Sequence, residues 1–349
     1  MVFHLGALWR LNELGWLPKL TRVSSVSGGS ITAGVVGWRW KHLQFDAQGV
    51  AQNLRTEVIE RVQSLADHTI DWESILRGLL LPGSIADKVA NAYAKLLFGN
   101  ATLQDLPADG QGPRFVINAS SVQTGALWRF SRPYMADYRV GLIRNPTVPL
   151  AVAVAASSAF PPVLSPLTME VDPASFDVAD RGDLHEPPFT TEVVLTDGGV
   201  YDNLGLETAW KRCRTVLVSD GGGQMQPEGK PKKDWAWHAL RINGLIDNQV
   251  RALRKRQVVG SFEAKERTGA YWSVRSHVAD YHLADALDCP PDKTMALANL
   301  PTRLKRLDRT TQERLINWGY AICDTAMRTW VVSGVSKPAS LPFTAAELA

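Results

Sequence analysis

Cysteine is scarce: the chain has three in 349 residues, Cys213, Cys289 and Cys323. They are far apart, odd in number and outside metal-ligand spacing. That excludes a disulfide framework and a zinc site and fits reduced thiols in an intracellular protein. Long hydrophobic runs are lacking too, and no segment reaches the ~18 consecutive apolar residues of a membrane span. A basic leader is missing: Met1-Val2-Phe3-His4-Leu5-Gly6 is followed soon by Glu13, which makes a poor signal peptide. Nor is there a large excess of charge of one sign, with 38 basic residues against 35 acidic for a net +3. This leaves no electrostatic footprint for nucleic acid, while an anionic membrane surface would be tolerated. The expected setting is the cytoplasm, with peripheral contact at membranes.

What is present is an ordinary globular composition, 45% hydrophobic and 21% charged, long enough for one large core or two domains. The twelve tryptophans suit core packing, with a few free to sit at a lipid interface. Apolar periodicity places a helix on residues 2–14, ended by Gly15. Residues 21–26 read as a buried strand and 30–40 as a helix, with small Ala33 and Gly34 on its early turns. Helices are expected over 52–65, 72–81 and 85–98, the last two separated by Pro82-Gly83. The run Leu79-Leu80-Leu81 reads either as core packing or as an exposed lipid-contact loop.

Strands are expected at 114–119, 128–131 and 140–143, then an Ala/Val-rich helix over 149–158 that Phe160-Pro161-Pro162 terminates. Residues 176–189, rich in Asp and Pro, read as a surface loop. Buried strands at 193–196 and 215–219 each run into an aspartate and glycines, Asp197-Gly198-Gly199 and Asp220-Gly221-Gly222-Gly223, with a helix over 204–210 between them. Past residue 226 the texture turns helical, over 235–267 and 310–331, with a strand at 271–274 and a basic cluster at Arg251, Arg254, Lys255 and Arg256. The expected fold is α/β in three layers, a mostly parallel sheet between helices, with function at the carboxyl ends of strands. The expected organisation is a single domain, with a core over 1–225 and a helix-rich C-terminal elaboration over 226–349.

Ser25-Val26-Ser27-Gly28-Gly29 joins strand to helix in the layout of a nucleophile elbow, which presents a serine outward on a turn too tight for bulky neighbours. The helix N-terminus beyond it favours the negative charge that develops on an acyl oxygen. An ordinary strand-to-helix turn has the same layout, and this segment alone does not separate the two. An attacking hydroxyl needs a base. None of the seven histidines, His4, His42, His68, His185, His238, His277 and His282, stands in a catalytic context, and they read as structural or solvated. A strand-end carboxylate is the better candidate. Its reference pKa of ~3.9 rises in a dry cleft, where it can be held in line with the serine. Asp197 and Asp220 both occupy such positions.

Four segments in this order resemble the patatin-like phospholipases: Phe3-His4-Leu5-Gly6-Ala7-Leu8, the Ser25–Gly29 elbow, Ala156-Ser157-Ser158-Ala159-Phe160-Pro161-Pro162, and Thr196-Asp197-Gly198-Gly199-Val200-Tyr201-Asp202-Asn203. The resemblance covers roughly the first two-thirds of the chain. It implies the patatin-like fold and hydrolysis of fatty-acyl esters, as by a phospholipase A or lysophospholipase, through a Ser/Asp dyad with no cofactor and no metal. By motif, Ser27 is the nucleophile, Asp197 the dyad acid, Gly28 and Gly29 the oxyanion and elbow glycines, and Gly198 and Gly199 the motif glycines. Asp220 lacks the downstream Tyr-Asp-Asn context, and Asn203 is expected to shape the turn. The chain departs from the pattern at Ser25, where the family has glycine, and it shows no glycine-rich oxyanion segment ahead of the first helix. Loss of one oxyanion donor costs on the order of a hundredfold to a thousandfold in rate, so weak activity is expected of this form. The alternatives are a Ser-His-Asp esterase and a non-catalytic lipid-binding protein. The expected partner is a phospholipid or other acyl lipid, and oligomeric state is not legible.

Overall fold

The computed structural model describes residues 1–68, 85–300 and 306–348. The helix expected over 72–81 and the apolar run at 79–81 lie outside the described residues. The helices that frame the site are α1 (Val2–Glu13), α2 (Gly28–Arg39), α3 (Leu150–Ser157), α4 (Gly199–Asp202), α5 (Glu207–Trp210), α6 (Trp235–Glu263) and α7 (Arg309–Trp330). The strands are β1 (Arg22–Ser25), β2 (Arg114–Ser121), β3 (Leu127–Phe130), β4 (Tyr134–Asp137), β5 (Gly141–Arg144), β6 (Leu167–Glu170), β7 (Phe176–Arg181), β8 (Glu192–Asp197), β9 (Thr215–Asp220) and β10 (Thr268–Ser273).

The main sheet runs β6-β8-β2-β3-β4-β5-β7, with β1 also on β2, while β9 and β10 pair separately. It is a curled, antiparallel half-barrel, which overturns the expected mostly parallel sheet. Among the described residues, only β1 and β2 run parallel within it, and the other parallel pair is β9 with β10. The cause is the chain between Arg114 and Arg144. There β2 to β5 follow one another through short turns with no helix to carry the chain back across the sheet, and strands joined so closely can only pair antiparallel. Part of the expected 176–189 loop is strand β7. It lies on the sheet edge with Phe176 alone buried, so its alternation is faint in the sequence. The helix expected over 204–210 is confined to α5, Glu207–Trp210.

β2 organises the site. β3 covers one of its edges from Ile117 to Ser120. The other edge is shared end to end. β1 runs up it in parallel until Ser25 faces Ile117, and β8 runs down it antiparallel until Asp197 faces Ala119. Two strand ends therefore meet at Asn118.

The Ala-rich α3 packs against β2 and α2, and α1 lies against α7. In this last pair a Cβ on Gly6 would stand 1.9 Å from the Ile316 carbonyl oxygen and one on Gly319 1.9 Å from that of Phe3. The helices meet backbone to backbone, which only glycine allows. Arg10 on α1 reaches Asp324 on α7 in a buried ion pair at 2.8 Å. Residues from both ends of the chain thus enter one apolar cluster.

Candidate active site

β1 ends at Ser25, and α2 begins at Gly28, so the chain reverses within Val26 and Ser27. Ser27 adopts φ 53° and ψ −138°, a conformation that costs a side-chain-bearing residue about 1–3 kcal/mol and clusters at functional sites. Its N–H donates to the Ser157 carbonyl at 2.9 Å. The Gly29 N–H donates to Val26 at 3.0 Å, whereas the Gly28 N–H makes no hydrogen bond among the described residues. At Gly28 a Cβ would stand 3.3 Å from the Met1 nitrogen, so the start of α1 borders the elbow. Ser25 fits where the family has glycine because its side chain is buried under α2, where its Oγ accepts from Ser30 Oγ at 3.0 Å.

Asp197 closes β8 and is 1% exposed. Its Oδ1 accepts from the Gly199 N–H at 2.7 Å, while Oδ2 is buried with no hydrogen bond of normal geometry. Burial pushes the carboxyl pKa up to about 7, against the opposing pull of the Ser27 hydroxyl and the Gly199 N–H. A carboxyl poised there can exchange a proton near neutrality. Gly198 is required by space. A Cβ on it would stand 2.1 Å from the Asn118 carbonyl oxygen, where the chain crosses the end of β2.

Sequence reasoning placed Ser157 in a motif but assigned it no task. Its carbonyl accepts from the Ser27 N–H and, at 3.2 Å, from the Gly198 N–H. Its Oγ donates to the Asn118 carbonyl at 2.6 Å and lies 2.8 Å from Ser30 Oγ. One buried serine at the end of α3 therefore ties the Ser27 turn to the Asp197 turn. The legible signal was a serine ending an otherwise Ala/Val helix, since a polar group in such a place must find partners.

Asp220 differs from Asp197. Both of its oxygens are occupied, Oδ1 by the Gly222 N–H and Oδ2 by the Tyr271 hydroxyl, each at 2.9 Å. His4 stands beside Gly29, but its Nδ1 lies 2.8 Å from Ser219 Oγ, and burial pushes its pKa down to about 3. It makes no hydrogen bond to Ser27 or Asp197. His68 Nδ1 and His185 Nδ1 bond backbone carbonyls at 2.7 and 2.9 Å. Asn203 reaches beyond its own turn: its Nδ2 donates to the Asp247 backbone carbonyl at 3.0 Å, linking the acid motif to α6. Among the described residues there is no cluster of three or more His, Cys, Asp or Glu suited to a metal, and no helix is long and apolar enough to cross a membrane.

Comparison with curated proteins finds no match. The family model described as patatin-like phospholipase matches residues 1–210, a span that includes the elbow, the α3 serine and the Asp197 turn. A hydrolase acting on lipid acyl esters is what that match implies in general terms. The chain belongs to the patatin-like phospholipase family.

Proposed function

We propose that the protein hydrolyses fatty-acyl esters of phospholipids or lysophospholipids through a Ser27/Asp197 dyad. The observation that carries this reading is a strained, elbow-borne serine whose hydroxyl acts on the buried Asp197 carboxyl, whose Oδ2 makes no hydrogen bond of normal geometry. Ser27 Oγ attacks the acyl carbonyl while Asp197 takes its proton. The oxyanion forms at the N-terminus of α2, where the uncommitted Gly28 N–H can donate to it. Collapse of the tetrahedral intermediate breaks the ester bond, and Asp197 returns the proton to the departing alcohol. Asp197 then takes a proton from a water that attacks the acyl-enzyme, and returns it to Ser27 Oγ as the acyl bond breaks and the fatty acid leaves. No step calls on a metal or cofactor.

A fluorophosphonate probe followed by peptide mapping tests the reading. Label on Ser27 alone is expected, and label on Ser24 or Ser30 would move the nucleophile. A folded chain that takes no label while it binds lipid would favour the non-catalytic alternative. Access to a lipid surface is proposed through α6. Trp235, Trp237, Leu240, Ile242, Leu245, Ile246 and Leu253 are exposed along it, on more than one face, with exposed Lys255 and Arg256 in its second half. Exposed indoles and aliphatic side chains beside cations are groups that favour a membrane interface.

A further inference from the structure

A cavity of about 380 Å³ has neither Ser27 nor Asp197 among its lining residues. That volume falls in the range of small-ligand sites, about 300–1,000 Å³. Its walls carry four cations, Arg22, Arg129, Lys211 and Arg212, against one carboxylate, Glu207. Glu207 is already engaged by Lys211 at 2.7 Å and by Arg254 at 3.3 Å. Arg22, Arg129 and Arg212 have no carboxylate partner among the described residues, and Arg22 Nη1 and Arg129 Nε are buried without a hydrogen bond. Burial, with Arg114 and Arg212 close by, lowers the pKa of Arg22. Unneutralised guanidinium groups held together this way repel one another and leave donors unsatisfied, which an oxyanion would relieve on both counts. Hydroxyls from Tyr134, Tyr138 and Thr208 add neutral donors around the same space.

We propose that this cavity binds a phosphate group bearing a small polar substituent, at a site separate from the dyad. Arg22 stands at the start of β1 and Val26 just past its end, roughly 13 Å along the strand, which sets the arginine end of the cavity apart from the Ser27 turn, while Tyr201 lines it from the side of the Asp197 turn. The cavity nonetheless touches the elements behind the nucleophile. The Thr208 hydroxyl lies 2.6 Å from Ser24 Oγ, and Arg129 pairs across the sheet with Asn118, whose Nδ2 donates to the Ser25 carbonyl at 2.9 Å.

The test is calorimetric titration of inorganic phosphate and glycerol 3-phosphate, alongside sedimentation with phosphatidic acid vesicles and phosphatidylcholine vesicles. All are run on the Ser27→Ala chain, so the outcome is independent of hydrolysis. Arg129→Gln and Arg212→Gln are expected to weaken phosphate binding about tenfold each, while Lys230→Gln, in an exposed loop, leaves it unchanged. Arg212 is exposed, so its replacement spares the fold, and melting curves check both variants. Saturable binding of glycerol 3-phosphate identifies a soluble phosphomonoester as the ligand. Binding confined to phosphatidic acid vesicles, and lost in the same two variants, identifies a lipid headgroup. Absence of binding to all four ligands overturns the proposal, as does equal loss in Lys230→Gln.

Discussion

Ser25 and Asp197 lie on the same edge of strand β2, two positions apart, one opposite Ile117 and the other opposite Ala119. Because β1 runs parallel to β2 and β8 antiparallel, their chains arrive at Asn118 from opposite directions. The turn after each strand then has one place to go, over the end of α3, where the Ser157 carbonyl receives both the Ser27 and the Gly198 N–H.

Ser27→Ala removes the proposed nucleophile. Ester hydrolysis and probe labelling are expected to fall to background, with a melting temperature equal to or above that of the wild type. Ala keeps the φ of 53° and its strain, so any rise would come from removing the partly buried hydroxyl. Turnover by the folded variant at the wild-type rate would falsify the assignment.

Asp197→Asn keeps the shape of the side chain and removes the proposed base. Activity is expected to drop by at least about a hundredfold, the lower end of what general-base catalysis supplies. Asp220→Asn is expected to retain most activity, because Asp220 spends both oxygens on Gly222 and Tyr271. His4→Gln is also expected to leave activity measurable. Parallel steady-state assays decide between the dyad and a triad: a His4 variant as inactive as Asp197→Asn would establish the histidine as the base.

The pH dependence follows from the Asp197 pKa of about 7. With the ionised carboxylate as the proposed base, kcat/KM should rise with pH and level off above about pH 7. Stability runs the other way. The folded-state pKa lies above the unfolded value, so the protonated carboxyl stabilises the fold below the unfolded pKa. That contribution is lost as pH rises through the carboxylate range to about 7. Asp197→Asn should therefore gain melting temperature relative to the wild type on going from about pH 5 to pH 8. A rate profile flat across that interval would remove Asp197 as the titrating base.

Ser157→Ala deletes the hydroxyl that bonds the Asn118 carbonyl and Ser30 but keeps the carbonyl that receives both turns. Misplacement of the dyad by a fraction of an ångström is expected to lower kcat by about tenfold to a hundredfold with little change in KM. A purely structural role would instead show as lost melting temperature at unchanged kcat.

Chelator is expected to leave hydrolysis intact, since the proposed steps draw only on Ser27, Asp197 and backbone N–H groups. The check is activity before and after dialysis against EDTA. Loss that calcium restores would rule out the dyad chemistry as written.

Much of the site was legible in the chain itself. The elbow at Ser25-Val26-Ser27-Gly28-Gly29 and the turn at Asp197-Gly198-Gly199 are local devices, set by which residues can take a sharp turn or a close approach, and short-range sterics are written in neighbouring residues. The long helices α6 and α7 followed from periodicity for the same reason. The sheet was not legible. Short apolar runs such as 193–196 announce burial but carry no mark of direction or partner, and the parallel expectation failed on the chain from β2 to β5. Nor could the sequence alone separate Asp197 from Asp220 on physical grounds, because each ends a buried strand before glycines. The tertiary structure separates them. Pairing with β2 buries Asp197 at the meeting of two strand ends and leaves Oδ2 unbonded, while pairing of β9 with β10 brings the Tyr271 hydroxyl to Asp220. Desolvation and hydrogen-bond supply depend on residues far away in the chain, and those distant neighbours exist only once the strands have chosen their register.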